Sequence, residues 1–207
     1  GTSSNTIPDI HKLMDTLKQH HVYPIARIVT FKDTVLAEKH PELSFLTSNG
    51  KVWNVGTSSH PTSFVNPYIK KVWDYNVEVG KAAAAVGFKE IQFDYVRFAE
   101  QLKGVEHSLK FQKDHRSRTD VIADFVKYAR EQLTPLGVRV SVDIFGYTTS
   151  VHAADGIGQD FEIISLNTDV ISPMIYPSHY GTGWFGYKVP DEHPYGMVYH
   201  ATEDAIK

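Results

Sequence analysis

The sequence has no cysteine among its 207 residues. Disulfide bonds, zinc–thiolate sites and thiol nucleophiles are therefore excluded. It also lacks any apolar run near the roughly 18 residues that a membrane-spanning helix needs. Basic blocks and acidic tails are absent, and the formal net charge is −3. These absences argue against a membrane span, a nucleic-acid surface and a strongly charged protein partner.

Aromatic residues, in contrast, make up 12% of the chain, with eleven tyrosines and eleven phenylalanines. This content is typical of a folded protein, because disordered chains contain few aromatic residues. The length is enough for one domain with a sizeable core. Neither an internal repeat nor a domain boundary is visible, so we expect a single domain over residues 1–207.

Apolar residues recur with strand-like and helix-like periods in turn, which is typical of βαβ units and a parallel sheet. The predicted strands are residues 25–31, 90–98, 138–146 and 169–176, with a short fifth strand near 51–55. The predicted helices are residues 6–20, 66–87, 118–133, 157–166 and 193–207. Thr6 and Asn66 are the expected caps of the first two helices, each followed by a proline in the first turn.

Two aspartates occupy matching positions late in two of these strands. In EIQFDYVRF (90–98) the alternation puts Asp94 on the face opposite Ile91 and Phe93. In VRVSVDIFG (138–146) it puts Asp143 opposite the valines. Ligands bind at the carboxyl ends of parallel strands, and strands joined by one crossover are usually neighbours. We therefore expect the two carboxylates in one site, about 5–10 Å apart.

This separation suits a pair in which one carboxyl protonates a leaving group while the other attacks or activates water. Strand spacing alone leaves both retaining and inverting chemistry open. The structural alternative is that each aspartate caps a loop or pairs with an arginine. The matching positions of Asp94 and Asp143 favour the functional interpretation.

Charged and aromatic residues near the same strand ends are candidates for substrate binding. Arg27 stands among apolar neighbours, and Asp94 is its natural partner. Arg97 follows three residues after Asp94 and can hold a substrate oxygen. A structural ion pair is the alternative for each arginine.

Tyr176, His179 and Tyr180 follow the last predicted strand. Such a cluster suits sugar stacking and hydroxyl recognition, because aromatic rings offer an apolar face and a polar tip. Trp53 lies in the long connection between the first two main strands and is a candidate subsite residue. For all four side chains, packing of the loop or core is the alternative.

Cofactor and metal motifs are not supported. GTGWFG (181–186) matches the dinucleotide-binding fingerprint letter for letter, but Pro190 follows closely and no helix opens there. The eleven histidines show neither H-x-H nor H-E-x-x-H spacing. We therefore predict no cofactor and no metal.

Five segments carry a resemblance to a known family: IARIVTFKD (25–33), NPYIKKVWDYN (66–76), EIQFDYVRF (90–98), RVSVDIFGY (139–147) and DVISPMIYPSHY (169–180). Together they resemble a bacterial family described as putative glycosyl hydrolase domains. The resemblance implies a (β/α)8 TIM barrel, distantly similar to α-amylases. It also implies a polysaccharide or cell-wall glycan as substrate and an extracellular or cell-surface location in a bacterium.

By the same resemblance, Asp94 corresponds to the nucleophile after strand four and Asp143 to the acid after strand five. Two departures stand out. Amylase-like enzymes usually have glutamate as the acid, so the shorter Asp143 departs from the pattern. The family usually has proline after FDYVRF, where this chain has Ala99.

Length suggests that the barrel is incomplete, since a (β/α)8 barrel takes about 250 residues. The order of elements predicts that the first strand and the last two are missing. An open barrel leaves sheet edges unpaired, so we expect a homo-oligomer formed through them.

The sequence therefore predicts a glycoside hydrolase that acts through Asp94 and Asp143. The alternative is a non-catalytic carbohydrate-binding barrel that uses the same cleft without turnover. A metal-dependent barrel hydrolase is disfavoured, because its ligand motifs are absent.

Overall fold

Four parallel β-strands, hydrogen-bonded in chain order, organise the structure, a computed structural model that describes residues 7–207. The strands are β1 Ile25–Val29, β2 Glu90–Asp94, β3 Arg139–Phe145 and β4 Val170–Met174. Each pairs with the next along the chain. All four main predicted strands are present, and each ends earlier than predicted because the chain turns away into the loops of that sheet edge.

Seven α-helices lie in the described part of the chain. They are α1 Ile10–Gln19, α2 Thr34–Lys39, α3 Lys70–Ala85, α4 Leu102–Val105, α5 Arg118–Leu133, α6 Phe161–Leu166 and α7 Pro194–Ile206. Short 3-10 turns cover Pro41–Leu43, Glu106–Ser108, Thr134–Leu136, Gly146–Ser150, Pro177–His179, Trp184–Gly186 and Pro190–Glu192. No helix within residues 7–207 has the length and apolar character to cross a membrane.

The start of α1 differs from the prediction. The helix begins at Ile10, and Asp9 caps it by accepting a hydrogen bond from the Lys12 amide at 2.9 Å. Pro8 therefore precedes the cap instead of lying in the first turn. The predicted cap, Thr6, is outside the described residues.

The start of α3 also differs, because Asn66 is held in the preceding connection. Its Nδ2 donates to the Gln112 carbonyl at 2.7 Å, and its Oδ1 accepts from the Tyr68 amide at 3.1 Å. Asn66 and Pro67 thus form a turn ahead of the helix, which begins at Lys70.

The prediction is correct for the bounds of α5 and wrong for the start of α6. α5 has the predicted bounds, with a capping box between Ser117 and Asp120. α6 begins only at Phe161, capped by Asp160. Gly158 has φ +78, a left-handed conformation that a continuous helix from residue 157 does not permit.

The fifth predicted strand, near residues 51–55, is wrong. In the described structure Val52 forms only an isolated bridge with Leu46, while β1 pairs directly with β2. The connection is ordered by packing, since Leu43 and Phe45 are buried. Its backbone bonds are partly local, such as the Trp53 amide to the Phe45 carbonyl at 2.8 Å, and partly long-range, such as the Leu46 amide to the Lys110 carbonyl at 2.9 Å.

The hydrophobic core lies between the sheet and its covering helices. Ile91, Phe93, Val140 and Val142 on β2 and β3 are fully buried and belong to one cluster with residues of α3 and α5. Burying one such side chain stabilises the fold by about 1.5–3 kcal/mol. Because the apolar face of the sheet packs on the helices, the opposite face is the one that points away from them.

The opposite face of the sheet carries polar side chains in register. Arg27 pairs with Gln92 across β1 and β2, and Asp143 pairs with Ser172 across β3 and β4. A parallel sheet in chain order, with helices outside and a polar inner face, is the architecture of a (β/α)8 barrel. The described residues form four strands in this arrangement, consistent with a partial barrel. Association through the sheet edges stays a prediction.

A close approach between β3 and β4 requires glycine at position 146. A Cβ atom there would lie 2.6 Å from the Met174 carbonyl oxygen and from Ile175 Cα. We expect Gly146→Ala to lower the free energy of unfolding by about 1–3 kcal/mol, because backbone on both strands must shift. The matched control is Gly104→Ala, where no atom lies within 4 Å. Equal urea-unfolding free energies for the two variants would contradict this account.

Candidate active site

Asp94 is the last residue of β2, and a sharp turn follows it. Tyr95 has φ +53, a left-handed conformation that few residues other than glycine adopt. The turn directs the Tyr95 amide back to Asp94 Oδ1 at 2.6 Å. It also ends the alternation predicted to reach Phe98. The carboxylate of Asp94 is thus fixed at the sheet edge by the backbone that leaves it.

Arg27 connects the two aspartates across three strands. Its Nη2 donates to Asp94 Oδ2, and its Nε lies 3.8 Å from Asp143 Oδ2. The pairing of Arg27 with Asp94 agrees with the sequence prediction. The Arg27 side chain is 53% exposed, however, so the cation is accessible instead of buried. One guanidinium therefore faces two carboxylates at the end of the sheet.

The two carboxylates have unequal surroundings. The Asp143 side chain is 11% exposed, and within residues 7–207 its carboxyl receives no hydrogen bond. Burial, and secondly the charge of Asp94, raise the pKa of Asp143 to about 6, against the opposing effect of Arg27. Asp94 instead forms an ion pair with Arg27 and accepts a hydrogen bond from the Tyr95 amide. Asp143 is thus able to carry a proton close to neutral pH.

A cleft of about 250 Å³ opens over these groups. Its lining includes five of the predicted substrate or catalytic residues besides Asp94: Arg27, Arg97, Asp143, Tyr176 and His179. The remaining lining residues are Tyr95, Phe145, Gln159 and Met174. The structure therefore brings most of the predicted site residues to one place.

Phe145 forms the centre of the aromatic wall of the cleft. The Arg97 guanidinium carbon lies 4.7 Å from its ring centroid, and the His179 ring meets it edge-on at 5.4 Å. Tyr176 packs against His179 at 5.0 Å and is 52% exposed. An exposed ring beside an imidazole is the arrangement expected for stacking on a sugar.

Gln159 supports this wall through two hydrogen bonds, and no sequence pattern predicted it as a site residue. Its Oε1 accepts from the Phe145 amide at 3.0 Å, and its Nε2 donates to the Val96 carbonyl at 3.2 Å. The side chain is buried and ties the end of β3 to the segment after β2. Phe145, by contrast, was detectable, because it follows Asp143 by two residues on the same strand face.

Tyr180 and Trp53 are placed away from the cleft, contrary to the prediction for both. Tyr180 is buried against Met197 of α7 and against Trp184. The 3-10 turn Pro177–His179 directs it away from His179. Burial, with a smaller contribution from Asp204, raises the pKa of Tyr180 to about 12. Trp53 packs on the core, 6.2 Å from Phe45.

Removing the charge of Arg27 tests the electrostatics of the pair. In Arg27→Gln we expect the pKa of Asp143 to rise by about one pH unit, because the nearby cation no longer favours its ionised form. A carboxyl ¹³C NMR titration of Asp143 measures this shift. Arg130→Gln is the control, since Arg130 pairs with the distant Asp169. An unchanged pKa of Asp143 in Arg27→Gln would contradict the assignment.

Metal ligation has no candidate in this region. Over the described residues 7–207, no group of three or more histidine or acidic side chains is arranged to hold a metal ion. The functional groups that line this cleft are two carboxyl groups, two guanidinium groups and an aromatic wall with an imidazole.

Comparison with known proteins gives a family and a fold. Residues 1–207 match the family described as "Putative glycosyl hydrolase domain". A hypothetical protein from Ruminiclostridium thermocellum ATCC 27405 is 34% identical with a TM-score of 0.55, over 68% of this chain and 75% of that one. No functionally curated protein matches the sequence.

Two more distant structures share the fold. An α-amylase from Lactobacillus plantarum is 15% identical with a TM-score of 0.56, over 81% of this chain and 36% of that one. A putative sporulation-specific glycosylase from Bacillus subtilis is 15% identical with a TM-score of 0.52, over 97% of this chain and 54% of its own length. These likenesses confirm the predicted TIM-barrel fold class, and this chain spans only part of each glycosidase.

Proposed function

This chain belongs to the putative glycosyl hydrolase domain family, and we propose that it is a glycosidase that cleaves a polysaccharide or cell-wall glycan through Asp94 and Asp143. The observation that carries the proposal is one cleft with two carboxyl groups in unequal environments. The proposal includes an extracellular or cell-surface location in a bacterium, where cell-wall glycans lie.

Glycosidic cleavage needs a proton for the leaving oxygen and a negative group near the anomeric carbon. Asp143 is assigned the first role, because its raised pKa of about 6 keeps a proton available. Asp94 is assigned the second, because Arg27 and the Tyr95 amide hold its carboxylate in place. Asp94 then attacks the anomeric carbon or stabilises its positive charge.

The proton balance of the step is simple. Asp143 gives its proton to the glycosidic oxygen as the bond to the anomeric carbon breaks. Water then adds to the sugar and returns a proton to the enzyme. In a retaining route Asp94 forms a covalent ester, which water hydrolyses while the Asp143 carboxylate takes the proton of that water. In an inverting route water displaces the leaving group directly, and the Asp94 carboxylate takes its proton as general base.

The remaining cleft residues are assigned to substrate binding. Tyr176 and His179 offer ring faces and polar tips to a sugar. Arg27 is exposed enough to reach a sugar hydroxyl. Arg97 is a positioning group, because its Nη1 already donates to the Phe98 carbonyl at 3.0 Å and its Nη2 lies 3.2 Å from Glu100 Oε1.

A carbohydrate-binding barrel without turnover is the second candidate. The observation that favours it is Arg27, whose guanidinium occupies the space between the carboxylates. A substrate must displace this group before Asp94 and Asp143 can act on one bond. A binding protein needs no such movement.

Turnover on a panel of bacterial and plant polysaccharides separates the two candidates. Release of new reducing ends is measured together with binding to the same polymers. A glycosidase releases reducing ends from at least one polymer. Binding without any release across the panel would overturn the glycosidase in favour of the binding barrel. Absence of both would contradict a carbohydrate function altogether.

A further inference from the structure

A second cavity of about 410 Å³ adjoins the catalytic cleft. We call it the side pocket and define it by Lys32, Phe64, Tyr95, Arg97 and Glu100. Two of these residues, Tyr95 and Arg97, also line the catalytic cleft. The cleft and the side pocket are therefore contiguous, so a chain-like ligand can extend from one into the other.

Lys32 is the distinctive charge of the side pocket. Its Nζ lies 3.4 Å from the Tyr95 hydroxyl and 4.5 Å from the centroid of the Tyr95 ring. Within residues 7–207, no carboxylate lies within 4.0 Å of this amine. The cation is partly buried and stacked on an aromatic ring, without a counter-charge.

Arg97 adds a second cation that is only partly neutralised. Its side chain is 11% exposed, and its carboxylate partner Glu100 is 56% exposed and lies 3.2 Å away. Burial lowers the pKa of Arg97, so this guanidinium gains from a further anion nearby. With Lys32 and Arg97 against Glu100, the side pocket has an excess of one positive charge.

Aromatic side chains surround these cations. The Arg97 guanidinium carbon lies 5.6 Å from the Phe64 ring centroid and 5.3 Å from that of Tyr95. Rings present the apolar faces on which sugars stack. They also shield the Arg97 guanidinium from water, and a cation in such surroundings attracts a bound anion more strongly than one in bulk water does.

We propose that the side pocket is a subsite for a negatively charged sugar unit, so that the glycan recognised by this protein is acidic. A uronic acid is the simplest unit of this kind. Its carboxylate accepts hydrogen bonds from Lys32 and the Tyr95 hydroxyl, and its ring stacks on the pocket wall. This inference rests on the proposed function, because it places the charged unit next to the one in the catalytic cleft.

Binding to matched polymers tests the subsite without requiring turnover. The probes are polygalacturonate, alginate and hyaluronan, each beside its own carboxyl-reduced form. We expect at least one acidic polymer to bind about tenfold more tightly than its reduced form, as a charge-assisted hydrogen bond implies. Lys32→Gln should remove this preference and Lys32→Arg should keep most of it. Lys71→Gln, an exposed change on α3, is the charge-matched control.

Two results would overturn the subsite: no acidic polymer preferred over its reduced form, or a preference that survives in Lys32→Gln. Two further outcomes distinguish failure of the proposed glycosidase activity from failure of the subsite. If no polymer is cleaved while the Lys32-dependent preference remains, the enzyme proposal fails and the subsite stands. If neutral glycans are cleaved and Lys32→Gln changes neither binding nor cleavage, the subsite fails and the enzyme stands.

Discussion

Replacing Asp94 by asparagine is expected to reduce turnover by at least about 10³-fold, the order of loss seen when a nucleophile or its partner is removed. Asparagine keeps the shape of the side chain but removes its negative charge. The anomeric carbon then has no anion to attack it or to stabilise its charge. Binding of the glycan should persist, because the aromatic wall formed by Phe145, Tyr176 and His179 is unchanged.

The measurement for Asp94→Asn is kcat from reducing-end release, with binding measured on the same polymer. Asp15→Asn is the control, since Asp15 is an exposed aspartate on α1, away from the cleft. Thermal unfolding of both variants shows whether the fold is kept. Turnover within about tenfold of the wild type in a folded Asp94→Asn protein would remove Asp94 from the mechanism.

Asp143 should control the alkaline side of the pH–rate profile. A general acid works only while protonated, and burial raises the pKa of Asp143 to about 6. kcat/KM is therefore expected to fall as pH rises through about 6. In Asp143→Asn this limb should disappear, and turnover should drop by about 10²–10⁴-fold, the usual contribution of general acid catalysis.

A substrate with a good leaving group supplies the control for this second prediction. An aryl glycoside needs little protonation, so Asp143→Asn should impair its bond cleavage far less than that of a natural polymer. Asp94→Asn should impair both substrates alike, because both need the anion. An alkaline limb that persists near pH 6 in Asp143→Asn would assign the titration to another group.

The elements that position the site were predictable from local patterns. Strict alternation in β3 places Asp143 on the face opposite Val140 and Val142, and the same rule applies to Asp94 in β2. Parallel strands joined by one crossover are usually neighbours, so the proximity of the two aspartates in one site could be predicted. The ion pair of Arg27 with Asp94 was predictable too, because an arginine within an apolar strand needs a partner.

Other features depend on tertiary contacts that leave no periodic signal. The left-handed turn at Tyr95 cannot be read from residue type, since tyrosine rarely adopts φ near +53. Gln159 acts through two backbone hydrogen bonds formed only after β2 and β3 pair. Tyr180 and Trp53 look like ligand-binding aromatics in sequence, but Tyr180 is buried against Met197 and Trp53 packs half-buried against Phe45.

The separation of core and cleft onto opposite faces of the sheet has a consequence for design. Ile91, Phe93 and Val142 hold the helices, while Asp94 and Asp143 alternate with them on the other side. Exchanging an inner-face residue therefore removes no apolar contact with the helices. The sheet can serve as a scaffold in which the cleft-facing residues are replaced one at a time, while the residues that pack against the helices stay unchanged.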